Sequence, residues 1–331
     1  MFENYNIASR LFRASQLALA FISLKLKIKP RFISKTLQDI LEDYRTADII
    51  FVNGGGYFRS QNGITQSLNL LMLYWLFEFI KIYKNKVIIA PTEFGPFAHT
   101  WQEKMIARVL ADFNQVFIRS INSFEQYNKY NQNSVISHDL ALNLAPLLGI
   151  AKRKDFTIGF TIRKWMPKKQ QDEFEEYYAE ALADFHRETN CAILPIIQVT
   201  GIDDDRESTQ NIIEILKRKG INTLSPEQPA DLNQALEIYA EINMIFGMRM
   251  HSNILAATQG IPFAAISYEY KTEGISKSLG MRDYCIKCDE ATPENLFQLL
   301  MRTYINRDEL KIRIKNSIKH STEEISKKIN F

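Results

Sequence analysis

Gly247-Met248-Arg249-Met250-His251-Ser252 decides the reading of this chain. It follows an apolar run, Ile242-Asn243-Met244-Ile245-Phe246, and leads into Asn253-Ile254-Leu255-Ala256-Ala257-Thr258, whose composition suits a helix. A strand that turns directly into a helix leaves the helix's first backbone N–H groups unpaired and partly positive. Arg249 and His251 delivered to that end, with Ser252 beside them, make a receptor for a phosphate or carboxylate. Further on, Phe263-Ala264-Ala265-Ile266-Ser267-Tyr268 reads as a second strand and ends in Glu269-Tyr270-Lys271. In a parallel sheet its C-terminal end opens beside the first, bringing Lys271 within reach of the same anion. A plainer reading competes: Arg249 pairs with a carboxylate to fix the strand, and His251 merely begins the helix. The motif alone leaves both open.

Outward from this stretch, strand-like and helix-like runs alternate. Asp48-Ile49-Ile50-Phe51-Val52 is a buried-type strand that runs into Asn53-Gly54-Gly55-Gly56-Tyr57. Glycines at a strand's end allow torsions and close approach that side chains forbid. Gly54, Gly55 and Gly56 therefore make either a tight turn or a floor on which substrate lies, and Tyr57 either stacks on a sugar ring or packs in the core. Lys86-Val87-Ile88-Ile89-Ala90 is the next strand and leads to Glu93-Phe94-Gly95-Pro96; Gln115 to Ile118 and Ser134 to Ser137 follow, the last ending at His138-Asp139. A second alternation starts at Thr157-Ile158-Gly159-Phe160-Thr161-Ile162, ending at Arg163-Lys164-Trp165, and continues through Cys191 to Ile197 and a short strand at Asn222-Thr223-Leu224. Helical periodicity lies between these runs, with Asp231 capping the helix through Ala240. The expectation is an α/β protein with two doubly wound domains facing one another, residues 1–150 and 151–331, because 331 residues exceed one ordinary core. Periodicity lapses and charge accumulates over 147–155, the expected linker.

A formal charge of +3 in a chain that is 46% hydrophobic and 24% charged argues against nucleic acid as a partner. It is compatible with small anionic substrates. Three cysteines fit a reducing compartment and cytoplasmic location. Cys285 and Cys288 fall on opposite faces of a short strand, with no second pair nearby for zinc. Asp203-Asp204-Asp205 reads as a solvated loop, since adjacent carboxylates cannot all face one ion. No metal is expected. His99 and His186 read as surface residues. Near the start, Ala14 to Leu24 is apolar but too short to span a bilayer, and Lys25, Lys27, Lys29 and Arg31 follow it. It reads as a buried first helix with a solvated basic tail; an alternative rests this basic face on the inner surface of an anionic membrane.

Seven landmarks now stand in order: Ala47-Asp48 to Gly54-Gly55-Gly56, Gly95-Pro96, Arg119-Ser120 to Ser123, Asp139-Leu140-Ala141, Ile158-Gly159 to Arg163, Gly247-Met248-Arg249-Met250-His251, and Pro262 through Ser267-Tyr268 to Lys271. With them the chain resembles the polysaccharide pyruvyltransferase family over nearly its whole length. The resemblance implies two Rossmann-like domains similar to GT-B glycosyltransferases, with a site in the cleft between them; Trp165 reads as a residue lining that cleft. It implies transfer of a pyruvyl unit from phosphoenolpyruvate to a sugar of a surface polysaccharide or lipid-linked saccharide, with donor held at Arg249 and His251. Two departures stand out. The chain starts too late for the strand and glycine-containing loop with which family members begin, which bears on acceptor binding. Glu93-Phe94 also stands where smaller or amide residues are expected.

Phosphoenolpyruvate carries a carboxylate and a phosphate, so its site needs two separate cationic anchors. Arg249 suits the planar carboxylate; Lys271 and the helix end near Ser252 suit the phosphate, and Arg163 suits either. His251 is the expected acid for the methylene carbon, with Asp139 or Glu93 taking the sugar proton. Neither step calls for a metal or further cofactor. Two alternatives remain at this level: a GT-B-type glycosyltransferase using a nucleotide sugar, and a non-catalytic binding relative that keeps the anion pocket.

Overall fold

Most of the short apolar runs become inner strands of parallel sheets, because strands buried on both faces need apolar side chains on both. Ile49–Val52 is instead a sheet edge with Ile49 and Phe51 exposed, not the buried strand its composition suggests. The computed structural model describes residues 7–28, 33–60, 63–83, 86–201 and 203–328. Lys29 and Arg31 of the basic tail lie outside the described residues. By its internal contacts the chain divides into two units, Met1–Leu140 and Ala141–Phe331. Residues 141–150, counted with the first domain in the sequence reading, fall in the second unit.

The first unit begins with helices α1 (Ile7–Lys25) and α2 (Lys35–Thr46), then β1 (Ile49–Val52), β2 (Phe58–Ser60) and helix α3 (Ile64–Tyr83). It continues with β3 (Lys86–Thr92), β4 (Phe94–Phe97), α4 (Thr100–Leu110), β5 (Gln115–Ile118), α5 (Ile121–Tyr127) and β6 (Ser134–Ile136). Strands β1-β3-β5-β6 form a parallel sheet in that order, with β2 and β4 paired as a separate ribbon. Helix α3 is apolar nearly all round, and its packing explains why. Leu70, Phe77 and Ile80 join the core containing β3 and β5, whereas Met72 and Phe79 pack with Ala14, Leu17 and Ala20 of α1. Fully burying a side chain such as Phe79 contributes about 1.5–3 kcal/mol.

Helix α1 corrects the expectation from sequence. The apolar stretch was expected to be too short for a bilayer and to be buried. The helix is instead long and apolar enough to cross a membrane by length and composition alone. It lies on α3 with one face, while Leu11, Phe12, Leu19 and Ile22 are exposed on the other.

The second unit runs β7 (Thr157–Thr161), α6 (Lys168–Thr189), β8 (Ala192–Pro195), α7 (Arg206–Arg218), α8 (Leu232–Glu241) and β9 (Met244–Gly247). Then come α9 (Met250–Thr258), β10 (Phe263–Ser267), α10 (Tyr270–Ser278), β11 (Cys285–Lys287), α11 (Pro293–Ile305) and α12 (Arg307–Lys328). The sheet is parallel throughout, in the order β11-β10-β9-β7-β8. Every residue of β7, β9 and β10 is buried, as central strands of a two-sided sheet require. Asp231 caps α8 by accepting from the Gln234 N–H at 2.9 Å. The strand expected at Asn222-Thr223-Leu224 is instead an irregular segment beside β8, where the Leu224 N–H donates to the Ile193 carbonyl at 2.8 Å. Pro226 and Pro229 follow it and cannot donate to a ladder.

Candidate active site

Register gathers the candidate residues of the second unit at one end of its sheet. Thr161 and Ala265 both lie level with Gly247 on the intervening strand. Because the three strands are parallel, the residues that follow leave the sheet at one edge. Arg163, Arg249 and Lys271 thus come from the C-terminal ends of β7, β9 and β10. Gly247 permits the tight passage into α9: a Cβ there would overlap the Asn253 side chain, whose Nδ2 donates to the Gly247 carbonyl at 3.1 Å. Arg249 occupies the N-cap position of α9, and His251 is exposed on its first turn.

Arg249 satisfies part of the plainer reading as well. Its Nε donates to both oxygens of Asp205, at 3.0 and 3.2 Å, and Nη2 donates to Asp205 Oδ1 and, at 2.6 Å, to the Asp203 carbonyl. Nη1 makes no hydrogen bond among the described residues, so half of the fork is still open. Burial pushes the Asp205 carboxyl up, while Arg249 and the Val199 N–H pull it down. The acidic triplet is a solvated loop at the exposed Asp203 and partly at Asp204, but not at Asp205. Asp205 turns wholly inside against Arg249, Asp203 accepts from Arg163 at 3.0 Å, and Asp204 pairs with Arg206. Each carboxylate has its own cationic partner; among the described residues no cluster could hold a metal ion.

Ser252 does not face an anion site. It is fully buried, its hydroxyl donates to the Arg249 carbonyl at 2.6 Å, and Thr161 Oγ1 lies 2.8 Å from it. A helix's first turn has an inner side, and the spacing from Arg249 puts Ser252 there. Lys271 Nζ lies 3.7 Å from Glu269. Arg163 donates through Nη1 to the Tyr268 hydroxyl at 2.6 Å, and its guanidinium stands 5.1 Å from the Trp165 ring centroid and 4.7 Å from that of Tyr268. These two rings, 4.8 Å apart, form one wall of an open pocket of about 620 Å³. His186 is half-buried rather than on the surface: its Nδ1 donates to the Cys191 carbonyl at 2.8 Å and ties α6 to β8. His99 is exposed, as expected.

In the first unit, Glu93 and Asp139 come together through a residue that the sequence offered only as a landmark. Arg119 reaches Glu93 with Nε at 3.4 Å and Asp139 with Nη1 at 2.8 Å, and all three side chains are largely buried. Glu93 Oε1 is buried without a hydrogen-bond partner among the described residues. The glycine loop is tied to the same place, since the Gly55 carbonyl accepts from Thr92 Oγ1 at 2.6 Å and from the Glu93 N–H at 3.2 Å. Gly54 has a packing reason: a Cβ would overlap the Pro91 carbonyl oxygen. Gly56 is half-buried in the same loop. Tyr57 is not a core residue. It is 38% exposed, its hydroxyl donates to the Asn53 carbonyl, and burial of the phenol pushes its pKa up to about 12.

With these residues in place, comparison with known proteins becomes informative. A family model described as polysaccharide pyruvyl transferase matches residues 4–270. The chain belongs to the polysaccharide pyruvyl transferase family. The match takes in Glu93, Asp139, Arg163, Arg249 and His251 and stops one residue before Lys271. The amylovoran biosynthesis protein AmsJ of Erwinia amylovora is 27% identical over 134 residues, which are 38% of this chain and 32% of AmsJ. The chain thus matches about a third of that relative's length.

Among solved structures, a UDP-GlcNAc 2-epimerase from Neisseria meningitidis bound to UDP-GlcNAc is similar with a TM-score of 0.54 at 9% identity, over 99% of this chain and 83% of that one. A putative UDP-N-acetylglucosamine 2-epimerase from Listeria monocytogenes gives 0.52 at 10% identity, over 93% and 88%. An apo OtsA structure gives 0.50 at 12%, over 98% and 86%. At such identities the likeness is one of fold: the polysaccharide pyruvyl transferase family member is α/β with two Rossmann-like, GT-B-like units.

Proposed function

We propose that the chain transfers a pyruvyl group from phosphoenolpyruvate to two hydroxyls of a sugar in a cell-surface polysaccharide or its lipid-linked precursor, releasing phosphate. One observation carries this reading. In a member of this family, Arg163, Arg249 and Lys271 leave the ends of adjacent strands beside the start of α9, where His251 is exposed. The open Nη1 of Arg249 suits one carboxylate oxygen, and Asp205 fixes the guanidinium plane before any ligand arrives. Lys271 and the first N–H groups of α9 suit the phosphate.

His251 protonates the methylene carbon, C2 becomes electrophilic, and a sugar hydroxyl adds while its proton passes to a carboxylate, Asp139 or Glu93. Phosphate then leaves with the C2–O bond electrons, and the second hydroxyl closes the ketal, its proton passing to the His251 imidazole left neutral by the first step. The sequence of steps uses no metal or cofactor. We place the reaction in the cytoplasm, at the inner face of the membrane. Lys25 and Lys27 at the end of α1, beside its outward apolar row, are the contact with anionic lipid. Sedimentation with vesicles containing phosphatidylserine, but not with neutral ones, tests that contact.

Calorimetric titration with phosphoenolpyruvate, and separately with a panel of nucleotide sugars, tests the donor. Saturable binding of phosphoenolpyruvate is expected, weakened about 10- to 100-fold in Lys271→Ala by loss of a charge-assisted anchor. Binding of a nucleotide sugar instead would move the chain to the glycosyltransferases. Phosphoenolpyruvate binding without phosphate release in the presence of acceptor would make it a non-catalytic relative, and binding of neither would overturn the donor reading.

A further inference from the structure

The second unit contains a pocket that the donor reading leaves unused. It lies between the first turns of α6 and the C-terminal ends of β10 and β11, and its volume of about 620 Å³ falls within the roughly 300–1,000 Å³ of small-molecule sites. Aromatic side chains line it: Trp165, Phe174, Tyr177, Tyr268 and Tyr270. Trp165 is 45% exposed and Tyr270 37%, more than a core role would leave. The charged groups in its wall are Glu173, Glu269, Glu273 and Asp289 against Lys287; neither Arg163 nor Lys271 lines it.

This chemistry excludes the donor itself. Phosphoenolpyruvate would bring further negative charge against four carboxylates. A cationic ligand would meet attractive carboxylates but would find the rings of Trp165 and Tyr268 already engaged by the guanidinium of Arg163. An uncharged, hydroxyl-rich ring fits. The C–H face of a pyranose covers an aromatic side chain, and carboxylates accept from sugar hydroxyls. Two of them already accept from hydroxyls within the protein, Glu173 from Tyr177 at 2.5 Å and Glu273 from Ser267 at 3.5 Å. Arg163 links this pocket to the anion site, since one side chain contacts its aromatic wall and also leaves the sheet beside Arg249.

We infer that this pocket is a subsite for an uncharged sugar, with Trp165 as its platform and Glu173 and Glu273 as hydroxyl acceptors. As a sugar pocket it stands on its own lining; as the place of the acceptor it rests on the transfer reading above. The second unit would then hold the acceptor sugar as well as the donor.

Saturation-transfer NMR on the full chain tests this with three uncharged probes: the methyl pyranosides of glucose, galactose and mannose. Transfer to ring protons of at least one is expected. The affinity should fall about tenfold in Trp165→Ala, be largely kept in Trp165→Phe, and fall severalfold in Glu273→Gln, an exposed substitution that leaves the fold alone. Failure of all three probes overturns the inference. So does binding that Trp165→Ala and Glu273→Gln leave unchanged, or a preference for methyl glucuronide or choline over the neutral sugars. Sugar binding by a chain that does not bind phosphoenolpyruvate would sustain the pocket and remove only the transfer reading.

Discussion

Arg249 and Asp205 form a buried two-pronged ion pair at the start of α9, with Nε 3.0 and 3.2 Å from the two carboxylate oxygens. Removing one partner leaves the other charged and unsatisfied in the interior, at about 3–5 kcal/mol. Arg249→Ala and Asp205→Ala should each lower the denaturation midpoint strongly, and the double variant should lose less than the sum. Strictly additive losses in urea titrations would show that the two side chains are not coupled. For the same reason, loss of donor binding in Arg249→Ala is interpretable only beside a stability measurement.

His251 gives the cleaner probe of chemistry. It is exposed on the first turn of α9, so His251→Ala should cost far less stability than Arg249→Ala. Product formation should nonetheless fall about 100-fold or more, with phosphoenolpyruvate binding reduced far less. An unchanged turnover rate would remove His251 as the acid.

Arg119 is predicted to hold the first unit's site together. Arg119→Ala leaves Glu93 and Asp139 buried without their shared cation, and a loss of about 3–5 kcal/mol is expected by thermal or chemical unfolding. Arg119→Lys should recover only part of it, because one ammonium cannot reproduce two directed nitrogens. Full recovery would mean that charge alone matters there.

The thiols should be slow. Burial pushes Cys285 up to about 11 and Cys288 to about 12. At pH 8 a thiol with a pKa of about 11 is roughly 0.1% thiolate, against roughly a quarter for an unperturbed cysteine. Alkylation by iodoacetamide at pH 8 should therefore be about 100-fold slower than for free cysteine and should accelerate as pH rises toward 11. Rapid labelling at pH 7 would contradict the burial argument. A chelator should not change the rate.

Gly54→Ala should cost about 1–3 kcal/mol by overpacking, since its Cβ meets the Pro91 carbonyl on the neighbouring strand. Calorimetric melting checks it, and an unchanged melting temperature would show that the loop yields.

The alternation of apolar runs made both sheets legible, and the order of the landmarks made the strand ends that carry the site legible too. Pairing was less so. Three adjacent aspartates look alike in sequence, and only the fold turns Asp205 inward to Arg249, 44 residues on, while Asp203 goes to Arg163. Ser252 was misplaced because a helix start names a turn but not which side of it faces solvent. Arg119 stood among the landmarks without a role, since its two carboxylates come from different strand ends. Asn222 to Leu224 had strand-like residues, yet among the described residues Leu224 alone bonds to β8 there, and the one bridge to that side falls at Glu227, between two prolines.

The β9–α9 turn is closed by its own hydrogen bonds: Asn253 to the Gly247 carbonyl, Ser252 to the Arg249 carbonyl, and Thr161 with Ser252. The segment therefore gave up its conformational freedom when the chain folded, and none is left to surrender at the moment of encounter. If the donor binds there as proposed, it meets a receptor already assembled. Its residence time is then set by how firmly the contacts hold it, not by how often a loop happens to close.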